Sequence, residues 1–115
     1  MANLLRGEIE AEIGGERRIL CLTLGALAEL EAAFGAGDVV ALAERFQRGG
    51  LSARDLAIIL ACGLRGGGAR VSDDDVAAMR VAGGLEGYVR IAADLIAATF
   101  GGAADKSRPP APQDA

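Results

Sequence analysis

Acidic and apolar residues alternate strictly along 8–13, which reads Glu-Ile-Glu-Ala-Glu-Ile. A period of two is typical of a half-buried β-strand. A second strand-like segment, 17–24, follows Gly14-Gly15-Glu16, so the two segments predict a β-hairpin. A two-residue turn at Gly15-Glu16 would give the opposite pairs Ile9–Leu22, Ala11–Leu20 and Ile13–Arg18 on one face. A slip of one residue would exchange the two faces of the hairpin.

From Thr23 onward the apolar positions recur every three or four residues, which is the period of an α-helix. Polar capping residues and glycines set the boundaries of five predicted helices. The first helix spans about 24–34. The second helix follows Asp38 and ends at Gly49-Gly50, and the third runs from Ser52 to the Gly66-Gly67-Gly68 run. The fourth helix is short and is capped by Ser72. The fifth helix runs from about Leu85 to Phe100 and ends at Gly101-Gly102.

The third helix is predicted to be central, because its apolar positions form one continuous stripe. The stripe comprises Leu56, Ile59, Leu60, Gly63 and Leu64. Val76 and Met79 form the predicted buried side of the fourth helix. The fifth helix is predicted to bury Leu85, Val89, Ala92, Leu95, Ile96 and Phe100.

These elements predict one α+β domain, residues 1–102, in which an N-terminal β-hairpin packs on a small bundle of about five α-helices. A chain of 115 residues is too short for two independent cores. All three prolines fall in the last residues of the chain, which hold little that could pack. We therefore expect residues 103–115 to be a disordered Pro-rich tail.

Composition narrows the classes of function. Hydrophobic residues make up 51% of the chain but aromatic residues only 3%, so the core should be aliphatic. The net charge of −4 argues against a nucleic-acid partner, since such proteins need clustered excess Lys and Arg. The sequence has no basic leader and no apolar run of about 18 residues, so we expect no membrane partner and a cytoplasmic location.

The residues that could carry chemistry favour structural roles. Histidine is absent, which removes the commonest general base and metal ligand. Three consecutive aspartates, 73–75, could hold a divalent cation, but successive helical positions diverge, so helix capping is the favoured interpretation. Cys21 and Cys62 are interpreted as buried, inert thiols. We expect neither an enzyme nor a cofactor.

Two further motifs have an ordinary and a functional interpretation. The glycine run 66–68 resembles a phosphate-binding loop, but it follows a helix rather than a strand and lacks the Gly-Lys-Ser/Thr that opens a P-loop. A flexible connector is the favoured interpretation. Glu8, Glu10 and Glu12 could form a metal-binding ladder, but alternating acids are also the usual solvated face of a strand.

Several segments together resemble a known family. They are Arg6-Gly7-Glu8, Leu22-Thr23-Leu24-Gly25-Ala26-Leu27-Ala28-Glu29-Leu30-Glu31, Leu42-Ala43-Glu44-Arg45-Phe46, Ser52-Ala53-Arg54-Asp55-Leu56, Cys62-Gly63-Leu64-Arg65 and Val81-Ala82-Gly83-Gly84-Leu85. The chain resembles, over about residues 4–101, the small tail proteins of gene transfer agents that are grouped with phage tail assembly chaperones. The strand-to-helix junction is the most specific of these segments, and none of them is a catalytic motif.

The resemblance implies a role in building the tail of a phage-like particle. The implied partners are the tape-measure protein and the tail-tube subunits, with the chain itself a monomer or a small homo-oligomer. The same families also include proteins described as tail-tube components, so a structural subunit is the alternative. One short hairpin favours the chaperone, because a tube subunit is expected to offer longer strands. An unrelated regulatory domain is a third hypothesis, although no predicted helix is basic enough to bind DNA.

A chaperone could use an aliphatic surface to shield the apolar stripe of a partner helix. Candidate contact positions are the apolar residues that remain after one core face is assigned to each helix. These are Ile19 on the hairpin, and Tyr88 and Ile91 on the fifth helix. For each of the three, completion of the core is the alternative interpretation.

Overall fold

The computed structural model describes Asn3 and residues 7–107, with side chains as far as Gly101. Within these residues a two-stranded antiparallel sheet precedes five helices, which confirms the predicted α+β class. The elements are β1 (Glu8–Ile13), β2 (Glu16–Cys21), α1 (Leu24–Phe34), α2 (Val39–Arg48), α3 (Ala53–Gly66), α4 (Asp73–Ala77) and α5 (Gly84–Ser107). Residues 108–115 of the predicted tail lie outside the described residues.

The hairpin register differs by two residues from the predicted one. β1 pairs with β2 through Ile9–Leu20, Ala11–Arg18 and Ile13–Glu16. The turn is therefore Gly14-Gly15, whose φ angles are 65° and 84°. A type I′ turn needs positive φ at both central residues, which two glycines supply and Gly15-Glu16 cannot supply without strain. Because the shift is even, every side chain keeps its predicted face.

The turn end of the hairpin is joined to the segment between α4 and α5. Ile13 and Val81 form an isolated antiparallel bridge. The backbone N–H of Gly14 donates to the carbonyl of Arg80 over 2.8 Å. This contact covers the outer edge of β1 at its turn end and fixes the start of α5 against the sheet.

Four helices begin at capping residues, of which the sequence indicated Asp38, Ser52 and Ser72. The side chains of Thr23, Asp38, Ser52 and Ser72 each accept a hydrogen bond from a backbone N–H in the first turn of α1, α2, α3 and α4. In α3 and α4 the cap is a complete capping box. α1 ends where Gly35 adopts a left-handed conformation with φ of 67°.

α3 is the central helix, as predicted. It contacts β2, α1, α4 and α5. Its side chains at Ile59, Leu60 and Leu64 are completely buried. They meet buried aliphatic residues of the other elements, which include Ile13, Leu20, Leu30, Val76 and Leu95.

Glycines allow the carboxyl end of α3 to lie directly on the backbone of β2. A Cβ atom at Gly66 would collide with the carbonyl oxygen of Cys21, and one at Gly67 with that of Ile19. In a hairpin with a two-residue turn, the peptide groups at these strand positions face away from the partner strand. The end of α3 therefore covers the outer edge of β2. The glycine run, interpreted from sequence as a flexible connector, is instead a packing surface over its first two residues.

α5 buries the later part of the predicted face, with Ile96 and Phe100 packed against the core, but not its start. Ile91, Ala92 and Leu95 are buried, whereas Leu85 is 65% and Val89 48% exposed. The prediction that Leu85 and Val89 belong to the core is therefore wrong. The start of α5 is oriented by Gly87, which is buried where a Cβ would collide with the carbonyl oxygen of Ala82. Leu85 and Val89 lie two residues on either side of Gly87, about 160° away around the helix, and so face outward.

α5 also continues to Ser107, past the Gly101-Gly102 pair at which the sequence predicted its end. Glycine inside a helix costs about 1 kcal/mol relative to alanine, which does not by itself terminate a long helix. Ala103 and Ala104, which follow the pair, are the strongest helix formers.

Gly66→Ala tests the contact between α3 and β2. In an exposed helix this substitution stabilises by up to about 1 kcal/mol. Here we expect the new methyl group to push α3 away from the Cys21 carbonyl and to lower the free energy of unfolding by about 2–3 kcal/mol. Urea or thermal denaturation of the purified protein measures the change.

Gly101→Ala in α5 is the matched control, because an added Cβ there meets its nearest neighbour, the Cβ of Ala97, at an ordinary 3.6 Å. We expect this variant to be as stable as the parent protein or more stable. Equal effects of the two substitutions would contradict the packing role of Gly66.

Candidate functional site

An apolar groove lies where the first turns of α3 and α5 meet α4. Its cavity volume is about 390 Å³, which is at the lower end of the range for ligand pockets. Aliphatic side chains supply most of the lining. The lining residues are Ala53, Arg54, Leu56 and Ala57 of α3, Val76 and Ala77 of α4, and Leu85 and Tyr88 of α5.

The α5 side of the groove presents an apolar strip, which we define as Leu85, Tyr88 and Val89. Leu85 and Val89 are two of the large hydrophobic residues that the described chain leaves exposed. Tyr88 is half-buried, and its hydroxyl donates a hydrogen bond to the carbonyl of Met79. Because Tyr88 is tied to the segment after α4, the strip has a fixed position relative to the groove.

α4 forms a wall of the groove and is anchored to α3. Val76 of α4 is completely buried. Arg54 pairs with Asp74 at 3.3 Å, and Arg65 pairs with Asp73 at 3.3 Å. The guanidinium of Arg65 also donates to the carbonyl of Val71 over 3.0 Å. A five-residue helix that could not persist alone is thus held in place by one apolar and several polar contacts.

Arg65 extends this anchoring to α1. Its Nη2 atom lies 2.6 Å from Oε1 of Glu29. The hydrogen bond from Arg65 lowers the pKa of the Glu29 carboxyl below its ordinary value. The thiol of Cys62 lies 3.5 Å from the same oxygen. Burial, followed by the adjacent Glu29 carboxylate, raises the pKa of Cys62 to about 12. A thiol that stays protonated is not a nucleophile, so the cluster is structural.

The three contact positions named from the sequence do not meet at one surface. Tyr88 lines the groove. Ile91 is only 9% exposed and belongs to the hydrophobic core, so in this fold it does not form part of a surface. Ile19 is half-buried on the hairpin and is not among the groove residues.

Leu85, which lines the groove, and Val89, one turn further along α5, are the exposed positions that the sequence misassigned. The signal available for them was weak, because α5 carries apolar residues on several faces. Burial of Gly87 decides which face turns inward, and a residue without a side chain gives no hydrophobic signal. The contact with Ala82 that orients it is visible only in the folded chain.

The acidic triplet is engaged in caps and ion pairs. Asp75 completes the capping box with Ser72, while Asp73 and Asp74 pair with arginines. Across the described residues, no group of three His, Cys, Asp or Glu side chains is arranged to hold a metal ion. None of the helices in the described part of the chain is both long and apolar enough to cross a bilayer.

The protonated, buried state of Cys62 predicts slow alkylation. In a Cys21→Ser variant, which leaves Cys62 as the remaining thiol, we expect iodoacetamide at pH 8.5 to modify the native protein at least about a hundredfold more slowly than the urea-unfolded protein. Mass spectrometry of timed samples measures both rates. A native rate within tenfold of the unfolded rate would mean that Cys62 is accessible as a thiolate.

The same shift predicts a fall in stability at alkaline pH. Above pH 9.0 the unfolded thiol loses its proton, whereas the folded thiol keeps it up to about pH 12. The unfolded state then binds fewer protons than the native state, so the contribution of Cys62 to the free energy of unfolding falls as pH rises through this window. Cys62→Ala should remove that part of the alkaline decline in denaturation experiments.

Comparison with protein families places the chain among known tail proteins. Residues 6–102 match the family described as phage tail tube protein, GTA-gp10. Comparisons with curated proteins and with solved structures gave no significant match. The family match spans every strand and helix from β1 to α4 and most of α5. The chain therefore belongs to the GTA-gp10 phage tail tube protein family, the small tail proteins of gene transfer agents.

Proposed function

We propose that this protein is a tail assembly chaperone of a phage-like particle. It acts in the cytoplasm and holds an apolar helical segment of another tail protein, first of all the tape-measure protein, until tail-tube subunits polymerise. The observation that carries the proposal is the aliphatic groove, which is lined by the exposed residue Leu85, with exposed Val89 one turn further along α5. Exposed apolar residues beside a preformed groove favour a protein partner.

The engaged edges of the hairpin support a chaperone over a subunit that adds strands to its neighbours. Strand addition requires a free row of backbone N–H and C=O groups. The carbonyls of Ile19 and Cys21 on β2 lie against Gly67 and Gly66. The turn end of β1 is bridged to Val81. A partner recognised through side chains in the groove needs none of these groups.

A structural tail-tube subunit is the second candidate, and the family description favours it. Such a subunit would remain in the finished particle and would contact its neighbours permanently. Stable assemblies of that kind bury about 1,200–2,000 Å² or more per interface. The two candidates therefore differ in where the protein is found after assembly.

Leu85→Asp tests whether the groove binds another tail protein. The chain is co-expressed with the tape-measure protein and tail-tube subunits of its gene cluster, and complexes are captured by affinity and size-exclusion chromatography. We expect the parent chain to co-purify with the tape-measure protein and to be absent from finished particles. Leu85→Asp should weaken capture at least tenfold, or about 1.4 kcal/mol, because a carboxylate replaces an aliphatic contact.

Val40→Asp is the matched control, since Val40 is 64% exposed and lies on α2, away from the groove. Circular dichroism checks that both variants fold. Presence of the chain in particles without capture of the tape-measure protein would exclude the chaperone and leave the structural subunit. Equal loss of capture in both variants would show that the groove is not the binding site.

A further inference from the structure

The groove is bordered by more acidic than basic side chains. We define the rim of the groove by the charged residues next to its lining in sequence, and its acids are the three aspartates that precede Val76 in α4 and Glu86, which follows Leu85 in the first turn of α5. The bases are Arg54, which lines the groove, and Arg90, one turn beyond Glu86. The α4 residues that line the groove itself, Val76 and Ala77, are aliphatic.

Pairing inside the chain neutralises these acids only in part. Asp73 shares one guanidinium, that of Arg65, with Glu29. The side chains of Asp74 and Arg54 are 88% and 63% exposed, so solvent screens their ion pair. Glu86 is exposed and has no ion pair within the described part of the chain. The rim thus presents negative charge, in an acidic protein of net charge −4.

The shape of the groove favours a helix as its occupant. The walls are helical surfaces that offer side chains rather than free backbone groups. Such a groove binds a partner helix through aliphatic side chains of that helix spaced one turn apart. The residues that flank these side chains on the partner helix then lie over the rim. Charges at these flanking positions meet the rim and influence both the association rate and the choice of partner.

We infer that the occupant is an amphipathic α-helix with an aliphatic face and with Lys or Arg on its flanks. The aliphatic face contacts the exposed lining residues Ala53, Ala77 and Leu85. The basic flanks meet Asp74 and Glu86. This inference rests on the proposed function in that it concerns the same groove, and it adds the charge of the partner segment.

Two synthetic helical peptides of about five turns, roughly 18 residues, provide the probes. They share one Leu-rich face and differ only in their flanks, which are Lys in one peptide and Glu in the other. Titration of the full chain by isothermal calorimetry at low salt should show at least tenfold tighter binding of the Lys peptide. The preference should shrink near 1 M salt, where the Debye length falls to about 3 Å.

Asp74→Lys combined with Glu86→Lys should abolish or reverse the preference, because both carboxylates on the rim change sign. Glu44→Lys combined with Asp94→Lys is the control, since it changes the net charge equally at exposed positions outside the groove lining. The control should retain the preference of the parent chain. Loss of the preference in both double variants would mean that only the net charge matters, and would overturn the inference.

Other outcomes separate this inference from the proposed function. Equal binding of the two peptides, abolished by Leu85→Asp, would overturn the charge preference and leave the chaperone proposal intact. Binding of neither peptide would overturn the inference. A dimer that Leu85→Asp dissociates would identify a second copy as the occupant and would also overturn it. Rim-dependent binding of the Lys peptide without capture of the tape-measure protein would support the inference and reject that partner.

Discussion

The close approach of α3 to β2 is the contact on which the rest of this fold depends. Gly66 and Gly67 bring a helix end onto the outward-facing carbonyls of Cys21 and Ile19, where no side chain would fit. The hydrophobic core gathers around this junction, with Leu20 of the strand 3.3 Å from the Cβ position of Gly63. α1 begins just after β2 ends at Cys21, and the segment that leads to α4 begins just after α3 ends at Gly66. The contact between α3 and β2 therefore fixes where both elements start. It also covers an edge that would otherwise attract a further strand.

The groove follows from this arrangement. Once the end of α3 is fixed, the chain turns back at Gly68 and brings α4 alongside α3, where Val76 enters the core and Arg65 and Arg54 hold the aspartates. The segment after α4 then bridges to Ile13, and Gly87 packs on Ala82. That packing orients the first turn of α5 with Leu85 and Val89 outward. The exposed apolar strip therefore results from backbone contacts made by small residues. It is compatible with a mostly aliphatic core elsewhere, in which Phe46 is a buried aromatic residue.

Local chemistry made much of the fold predictable from the sequence. Asp38, Ser52 and Ser72 indicated three helix starts, since a capping side chain acts within one turn. The alternation of 8–13 assigned the faces of the hairpin correctly even though the register was wrong by two residues, because the face of a side chain depends only on whether the shift is odd or even.

The predictions that were wrong concern features set by contacts between distant segments. The exposure of Leu85 and Val89, the core position of Ile91 and the packing of Gly66 and Gly67 are each decided by atoms far apart in sequence. Of the groove lining, only Tyr88 was named as a contact position, because the aliphatic side chain of Leu85 is typical of a core residue.

The dimensions of the groove fit a contact that has to be released. A cavity of about 390 Å³ accommodates only a few aliphatic side chains, so the apolar area buried with a helical partner is modest. Association costs several kcal/mol of lost translational and rotational freedom before any contact contributes. A small aliphatic site is compatible with the moderate affinity and fast dissociation that the proposed chaperone role needs when polymerising subunits compete for the partner. A permanent subunit needs the opposite, namely a large dry interface or continuous strand pairing. The engaged edges of the hairpin and the small size of the groove are thus two independent physical reasons that favour transient binding in tail assembly.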